Sequence, residues 1–289
     1  MVSTGADAWH IPCVRFRMIR IETDSGWVLV EHPEHARLAG RFAAHWGNAD
    51  FAPPEPRADV LIAVARHDDA WATRDAQPFL TREGRPSAFS RELVGRYSAF
   101  EEIDFADYLA VRGRAAEAVA SDNPYAAIII SMHTVSLLTT QADLSGLQAG
   151  DLELHRLFIE NERRRQGELI ASLARDPARA GAVEPGPLRR AFEFLQACDS
   201  FSLGVCVRYP SAKNLRHAHP RRDGTMTEIT CTPLGDDTYR LAPYPLDRDA
   251  LLLELPCRTV AGGTFPDQES LRSAWAAAPV GRMKVRIVR

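Results

Sequence analysis

The chain has 289 residues, of which 45% are hydrophobic and 25% charged, and its formal net charge is −3. This composition is that of an ordinary globular protein with a sizeable buried core. A net charge so close to zero gives no bulk attraction to nucleic acid or to an anionic membrane, so neither is expected as a partner. The length is compatible with one large domain, and we predict a single domain over residues 1–289.

The cysteines and the apolar stretches indicate the compartment. Five cysteines are present, an odd number, and no two of them are spaced as Cys-x-x-Cys. A disulfide framework and a thiolate zinc site are therefore not expected. The first residues lack the charged-then-apolar order of a signal peptide, and the longest apolar stretch, residues 125–138, is too short and polar to cross a bilayer. The expected location is the cytoplasm.

The chain begins with a β-prone segment and then becomes helical. Two short β-prone runs, residues 16–21 and 27–30, surround a turn and predict a hairpin. Apolar residues then recur with helical spacing. We expect helices near residues 33–46, 58–71, 104–121, 124–140, 151–175 and 188–203.

After residue 205 the pattern is typical of strands. Residues 208–222 are basic and irregular. Four strand candidates follow, at residues 227–233, 239–243, 251–255 and 283–288. The predicted fold is α+β and mostly α: a helical bundle over residues 32–205, with β-rich additions at 14–31 and 223–289. These additions are expected to form one small antiparallel sheet, in which the N-terminal hairpin joins the C-terminal strands.

An adjacent histidine and aspartate lie on the apolar face of the second predicted helix. Val60, Val64, His67 and Trp71 follow one another at offsets of four, three and four, which places them on one helix face. Asp68 is the neighbour of His67. A buried carboxylate is costly unless it is paired or bound to a metal ion. The two side chains can reach one cation.

Three other predicted helices each direct a polar group toward the core. His35 is in line with Leu38 and Phe42, and Asp199 is in line with Leu195. His133 lies on a strongly apolar helix. Any one of these groups alone would be compatible with a hydrogen-bonded core residue. Four helices that direct His, His-Asp, His and Asp inward predict a divalent-metal site.

The order of these residues is similar to that of a known superfamily. His35, then His67-Asp68, then Asp199 resembles the HD-domain superfamily of metal-dependent hydrolases, which is named for its adjacent His-Asp pair. The resemblance covers residues 30–205 and implies a helical fold with these four residues as metal ligands. More narrowly, residues 35–39, 67–71 and 131–133 and the β-rich tail resemble an uncharacterised bacterial family within this group, which supplies no activity.

The resemblance also concerns the residues between the pair and the last aspartate. Two-metal HD enzymes carry two further histidine ligands in that interval, which His133 and His155 occupy here. His133 is a candidate second-metal ligand, general acid or substrate contact. His155 lies on a highly charged helix, where a solvent-facing position is the alternative. Many HD phosphohydrolases have Gly-Lys after the pair, whereas this chain has Asp69-Ala70-Trp71, so the bond that is cleaved stays open.

Residues that flank the predicted ligands have candidate roles of their own. Asp69 can accept a proton from water at the metal, or it is a hydrogen-bonded residue at a helix end. Trp71 and Lys213 are the predicted substrate contacts, with a core position and a solvated surface as the respective alternatives. His32 precedes Pro33 and is expected in a loop, so His35 is the preferred ligand.

Three functional hypotheses follow. The first is a metal-dependent hydrolase with a small polar or anionic substrate, in which Asp69 or His133 moves the proton. Imidazole and carboxylate ligands suit iron, manganese, cobalt, nickel or zinc. The second is a di-iron oxygenase, which requires both His133 and His155 as ligands. The third is a non-catalytic binding module with a vestigial metal site. A homodimer is compatible with each of them.

Overall fold

The computed structural model describes residues 18–89, 105–142 and 144–289. Residues 14–17 of the predicted N-terminal addition, which include the start of the hairpin, lie outside these ranges, as does the first residue of the helix expected near 104–121. The helices in the described ranges are α1 (His32–Ala44), α2 (Arg57–Arg66), α3 (Ala72–Asp75), α4 (Phe105–Ala120), α5 (Pro124–Ser136), α6 (Ala149–Leu173), α7 (Pro177–Ala180), α8 (Pro185–Cys206) and α9 (Gln268–Ala277).

Most strands belong to one mixed sheet. The strands in the described ranges are β1 (Met18–Thr23), β2 (Gly26–Val30), β3 (Phe79–Leu80), β4 (Pro86–Phe89), β5 (Lys213–Asn214), β6 (His219–Pro220), β7 (Met226–Thr227), β8 (Thr230–Gly235), β9 (Thr238–Ala242), β10 (Ala250–Ala261) and β11 (Val280–Val288). In the described part, nine of them form a sheet of order β3-β4-β1-β2-β10-β11-β9-β8-β5. Strands β6 and β7 form a separate small hairpin.

The prediction of a helical bundle with a small antiparallel sheet is wrong. The C-terminal strands lie inside the large main sheet, where β10 pairs with β11 on one side and with β2 on the other. The sheet is mixed because β1 pairs with β4, and β9 with β11, in parallel. The predicted N-terminal hairpin is confirmed as β1–β2, and the strand candidates at residues 227–233 and 239–243 correspond to the antiparallel pair β8–β9. Helix α9 was not predicted.

A glycine allows the hairpin to join the C-terminal strands. Gly26 begins β2 with a φ of 147°, and a Cβ atom there would lie 2.1 Å from the carbonyl oxygen of Val260 in β10. Residues with a side chain rarely adopt such a positive φ. Gly26 therefore permits the backbone contact through which β2 and β10 become neighbours.

The helical layer packs onto the sheet through one apolar core. Helix α1 contacts α2, α8 and β10. Phe42 of α1 stacks on Phe201 of α8, with ring centroids 4.1 Å apart. A Cβ atom on Gly40 would lie 2.6 Å from that of Ala65, so α1 and α2 approach closely at this point. These contacts hold three of the site-bearing helices against each other.

Helix α5 is the buried central helix. Its N-terminus is capped by Asn123, whose side chain accepts a hydrogen bond from Ala126 N and donates one to Asp59 of α2. Pro124 occupies the first turn, where a missing N–H costs nothing. The helix continues into a π-helical turn, Leu137–Gln141. No helix in the described ranges, α5 included, is long and apolar enough to span a membrane.

Helix α2 ends earlier than the prediction of a helix over residues 58–71. It stops at Arg66, His67 caps its C-terminus, and a 3₁₀ turn over Asp69–Trp71 follows. Asp68 has a φ of −118° and a ψ of 17°, outside the helical region. His67 and Asp68 therefore occupy the break after α2 and not a continuous helix face.

Candidate metal centre

Five titratable side chains converge where α1, α5, α8 and the end of α2 meet. Each is almost completely buried, with Asp199 the most exposed at 6%. His35, His67 and Asp68 form one group, and His67, His133 and Asp199 form another. Within each group, one ligand atom from every residue lies within 4.8 Å of the others. The structure thus brings together all four predicted ligands and His133, and we call this set the metal centre.

The distances show which atoms face one another. His35 Nε2 lies 3.1 Å from Asp68 Oδ2 and 3.8 Å from Asp199 Oδ1. His67 Nε2 lies 3.3 Å from Asp199 Oδ1 and 3.8 Å from Asp68 Oδ2. His133 Nε2 lies 4.0 Å from Asp199 Oδ2. Three imidazole nitrogens and carboxylate oxygens from two residues therefore surround one small volume.

The hydroxyl of Ser202 determines the tautomer of His35. Ser202 Oγ donates its proton to the carbonyl oxygen of Asp199, at 3.0 Å. The Oγ atom of Ser202 must then accept a hydrogen bond from His35 Nδ1, at 2.7 Å. With its proton on Nδ1, His35 would bind a metal ion through the lone pair of Nε2. Without metal, Nε2 lies in hydrogen-bond contact with the ionised Asp68 Oδ2, at 3.1 Å, and the ion would take the place of that bond.

His67 is held in the same tautomer by the backbone. Its Nδ1 donates to the carbonyl oxygen of Val64, at 2.8 Å. Its Nε2 is buried and lies 3.3 Å from Asp199 Oδ1, but in the described part of the chain no contact of Nε2 has the geometry of a hydrogen bond. A buried nitrogen without such a partner is costly unless something else satisfies it. A metal ion meets this requirement, because it accepts the Nε2 lone pair.

Arg112 of α4 orients Asp68. Its Nη1 donates to Asp68 Oδ1 at 2.6 Å, which leaves Oδ2 facing His35 and His67. The guanidinium also lies over the ring of Trp71, 5.2 Å from the centroid. Sequence reasoning missed Arg112. Its signal was an arginine on the apolar face of α4, one turn before Ala115 and Ala116, where a buried cation requires a carboxylate partner.

Both carboxyl groups stay ionised at neutral pH. Burial opposes ionisation, but the charges of Arg112 and His67 hold the pKa of Asp68 well below its usual value. Burial likewise opposes the ionisation of Asp199, and the neighbouring His67 and His133 lower its pKa. The centre therefore keeps two negative charges in the interior, which suits a divalent cation.

The histidines respond to burial in different ways. Burial favours the neutral form of His67, but the charges of Asp68 and Asp199 outweigh it and raise the pKa of His67 to about 9. Without metal, His67 is therefore protonated at pH 7, and an ion that binds Nε2 would displace that proton. For His133, burial dominates and lowers the pKa to about 3. His133 is consequently neutral at pH 7. Its lone pair is available to a cation or to a hydrogen-bond donor.

These residues fit a metal ion. Imidazole nitrogens together with carboxylate oxygens form the donor set of divalent transition metals, whereas calcium and magnesium prefer oxygen ligands alone. The buried groups His35–His67–Asp68 and His67–His133–Asp199 can therefore hold a metal ion.

The structure does not bring Asp69 into the metal centre. Its two carboxylate oxygens accept hydrogen bonds from Arg37 at 3.0 Å and from Arg66 at 2.8 Å. Asp69 belongs to neither of the two metal-binding groups. Its role as a proton acceptor stays a prediction, and the arginines favour the alternative of a paired residue at a helix end.

His155 is also placed elsewhere. Its Nε2 donates to the carbonyl oxygen of Leu138 at 3.1 Å, and its ring stacks on Phe105 with centroids 6.3 Å apart. His155 belongs to neither of the two groups that could hold a metal ion. The assignment of His155 as a second-metal ligand therefore finds no support in the geometry.

The two predicted substrate contacts lie in different surroundings. Trp71 is buried and stacks on His32, with ring centroids 4.8 Å apart, next to the metal centre. Lys213 is exposed in β5, and its ammonium lies 5.3 Å from the ring centroid of Tyr209. Trp71 thus adjoins the centre, whereas Lys213 belongs to the sheet edge.

His32 is not in a loop, contrary to the prediction. It is the first residue of α1, because Pro33 suits the first turn of a helix. Its ring is buried, and Nδ1 lies 3.0 Å from Asp75 Oδ2. His35 is nevertheless the residue whose ring nitrogen faces the carboxylates of the centre, as predicted.

The chain has no match among curated proteins and none among solved structures. A family model does match it, over residues 18–262. The matched range contains every residue of the metal centre and Arg112. The family is described as a protein of unknown function, DUF3891. Because the model covers most of the chain, this protein belongs to the DUF3891 family.

Proposed function

We propose that the chain is a metal-dependent hydrolase that acts on a small polar or anionic substrate. One observation carries the proposal. The Nε2 atoms of His35 and His67, with their protons held on Nδ1, converge with oxygens of Asp68 and Asp199 in the interior. The resemblance to the HD superfamily favours the same reaction class. Iron, manganese, cobalt, nickel and zinc fit the donor set.

Each residue of the centre has one side-chain atom suited to bind the ion. His35 and His67 would bind the ion through Nε2, because Ser202 and Val64 hold a proton on Nδ1. Asp68 would bind the ion through Oδ2, because Oδ1 accepts the hydrogen bond from Arg112. Asp199 supplies the remaining carboxylate. When bound, a divalent cation lowers the pKa of a coordinated water and polarises the substrate.

His133 is suited to contact the ion or the substrate. Burial lowers its pKa to about 3, so His133 is neutral at pH 7 and not in the imidazolium form that acts as a general acid. Its Nδ1 forms no hydrogen bond within the described ranges, and its Nε2 faces Asp199. We therefore assign His133 as a further ligand or as a hydrogen-bonding contact to the substrate.

Metal content tests the first half of the proposal. The purified chain is analysed for transition metals beside His67→Ala, with His155→Ala as the matched control. We expect about one equivalent of metal in the wild type and in the control, and none in His67→Ala. Absence of metal from the wild type after reconstitution would show that the centre is a structural polar cluster.

Turnover tests the second half. The metal-loaded protein is assayed with chromogenic phosphomonoesters, phosphodiesters, carboxylic esters and anilides. We expect hydrolysis of at least one class by the wild type and loss of that activity in His67→Ala. Bound metal with no hydrolysis in any class favours the binding module. Full activity in His67→Ala would contradict the hydrolase.

The oxygenase is less well supported. It requires two irons and both His133 and His155 as ligands, but His155 bonds to Leu138 and stacks on Phe105. The two metal-binding groups share His67, whose single free nitrogen serves one ion. About two equivalents of iron in the metal analysis would favour the oxygenase over the hydrolase.

A further inference from the structure

A cavity of about 500 Å³ opens away from the metal centre. It lies between the proline-rich turn 52–56 and the first half of α8, and we call it the cleft. Its floor consists of Trp46, Phe194 and His219, which are all buried. Among the described residues that line it, none belongs to the metal centre. Cavities of this size accept small organic ligands.

The cleft and the metal centre lie at opposite ends of α1. His35 is in the first turn, whereas Trp46 follows the C-terminal residue, Ala44. At 1.5 Å per residue, about 15 Å of helix separates the two. The stacked rings of Phe42 and Phe201 belong to the core between these ends. A ligand in the cleft therefore makes no direct contact with a metal ion in the centre.

The floor of the cleft is aromatic and offers one hydrogen-bond acceptor. The ring of Trp46 lies edge-on to those of Phe194 and His219, with both centroid distances 5.1 Å. His219 Nε2 donates to the carbonyl oxygen of Arg216, at 3.2 Å, so Nδ1 carries the lone pair. No hydrogen bond reaches Nδ1 from the described part of the chain. This floor favours an aromatic ring that bears an N–H or O–H.

The mouth of the cleft carries two opposite charges. Glu55 and Arg190 both line the cavity and are exposed. Arg190 forms no ion pair with any residue in the ranges 18–89, 105–142 and 144–289. Glu55 Oε2 accepts a hydrogen bond from the backbone N–H of Arg57, at 3.2 Å, which holds this carboxylate in place. A ligand with both an anionic and a cationic group matches this pair.

The walls between floor and mouth are rigid. Pro53, Pro54, Pro56, Pro187 and Pro220 line the cavity. The ring of each proline restricts φ, so the walls lose little conformational freedom when a ligand binds. The cleft is therefore formed before its ligand arrives.

We propose that the cleft binds a free aromatic α-amino acid with a hydrogen-bond donor on its ring, namely tryptophan or tyrosine. The carboxylate pairs with Arg190 and the ammonium with Glu55. The ring packs between the prolines and Trp46. The indole N–H or phenol O–H donates to His219 Nδ1.

Calorimetric titration of the full chain tests the ligand class. We expect L-tryptophan or L-tyrosine to bind saturably at about one molecule per chain, as one cavity allows. L-Phenylalanine should bind at least about tenfold more weakly, because it leaves the buried His219 acceptor without a partner. Indole-3-acetate and tryptamine, which each lack one charge, should also bind more weakly. No saturable heat with either amino acid overturns the proposal, as does equal affinity for L-phenylalanine.

Two neighbouring arginines provide a matched pair of variants. Arg190→Gln removes the charge at the mouth and should weaken binding about tenfold. Arg189→Gln is the control, because Arg189 is exposed, pairs with Glu193 and does not line the cleft. Equal affinity of the two variants would overturn the proposal. His67→Ala should bind the amino acid as the wild type does, so this result is independent of the proposed hydrolase.

Discussion

Two buried histidines, one in the metal centre and one in the cleft, show opposite electrostatic behaviour. His67 and His219 are 1% and 4% exposed, so burial alone favours the neutral imidazole in both. The pKa of His67 nevertheless rises to about 9, because Asp68 and Asp199 face it. Burial lowers the pKa of His219 to about 4, and its other neighbours, Arg216, His217 and Glu193, do not reverse this. Carboxylate neighbours, and not burial, therefore mark the site suited to a cation.

The two sites also place their charges differently. The metal centre keeps its charges in the interior, where each acid group contacts a base. The cleft has an aromatic floor and carries Glu55 and Arg190 at its mouth. Loss of a charged partner should therefore cost much stability in the centre, whereas loss of Glu55 or Arg190 at the exposed mouth of the cleft should cost little stability.

The largest effect is expected from the carboxylate that His35, His67 and His133 all face. Asp199→Ala removes it and should abolish metal binding. Without metal, the free energy of unfolding should fall by about 3 kcal/mol, because the partner that Asp199 gives to buried His67 is lost. Metal analysis and urea denaturation measure the two effects. The control is Asp247→Ala at the surface, which should retain metal. Metal retained in Asp199→Ala would show that Asp199 is not a required ligand.

The second largest effect is the dependence of the free energy of unfolding on pH through His219. Above pH 6.5, His219 is neutral in both the folded and the unfolded chain. Between pH 6.5 and about 4, His219 becomes protonated in the unfolded chain but stays neutral in the folded chain. The free energy of unfolding therefore falls as the pH falls. The loss is about 3 kcal/mol and is complete below pH 4.

His219→Phe isolates this contribution because phenylalanine does not titrate. The wild type should lose more stability than His219→Phe between pH 7 and pH 4, as measured by denaturant titrations at several pH values. Parallel pH curves for the two proteins would mean that His219 becomes protonated in the folded chain, and the electrostatic contrast with His67 would no longer hold.

A smaller effect is expected when Asp68 loses its orienting arginine. Arg112→Met should leave the ligands in place but lower the affinity for metal about 10–100-fold, which is typical of residues that position a ligand. Arg114→Met is the matched control, since Arg114 is exposed on the same helix. Competition with a chelator measures the affinities. Equal affinities in the two variants would show that Asp68 is oriented without Arg112.

The smallest effect is expected at Asp69. Asp69→Asn weakens the ion pairs with Arg37 and Arg66, which are partly exposed, so the free energy of unfolding should change by less than about 1 kcal/mol. Metal content should stay the same. If turnover nevertheless falls severalfold while metal is retained, Asp69 accepts a proton during the reaction, as the sequence predicted.

The sequence was informative about the ligands because helical spacing is a local signal. His35, His67, Asp68 and Asp199 were identified from their alignment with apolar neighbours and from their order along the chain. The alignment of His67 with Trp71 was misleading in detail, since α2 ends at Arg66. The ligand prediction was nevertheless unaffected, because His67 and Asp68 are buried at the break after α2.

The positioning residues and the sheet were not predictable in the same way. Arg112 and Ser202 act through partners that lie 44 and 167 positions away in the sequence. No local pattern reports such contacts. The strand candidate at residues 251–255 is only part of β10, whose pattern is interrupted by Glu254 and Pro256. Its pairing with β2 is again a contact between distant parts of the chain.

That pairing has a consequence for the way the molecule folds. Trp27 Nε1 donates to the carbonyl oxygen of Gly263, 236 positions further along the chain. Strand β2 can pair with β10, and β9 with β11, only after the distant parts of the chain that hold them have come together. Loops this long close slowly, and unpaired strand edges promote association with other chains meanwhile. We expect slow refolding whose yield falls as the protein concentration rises.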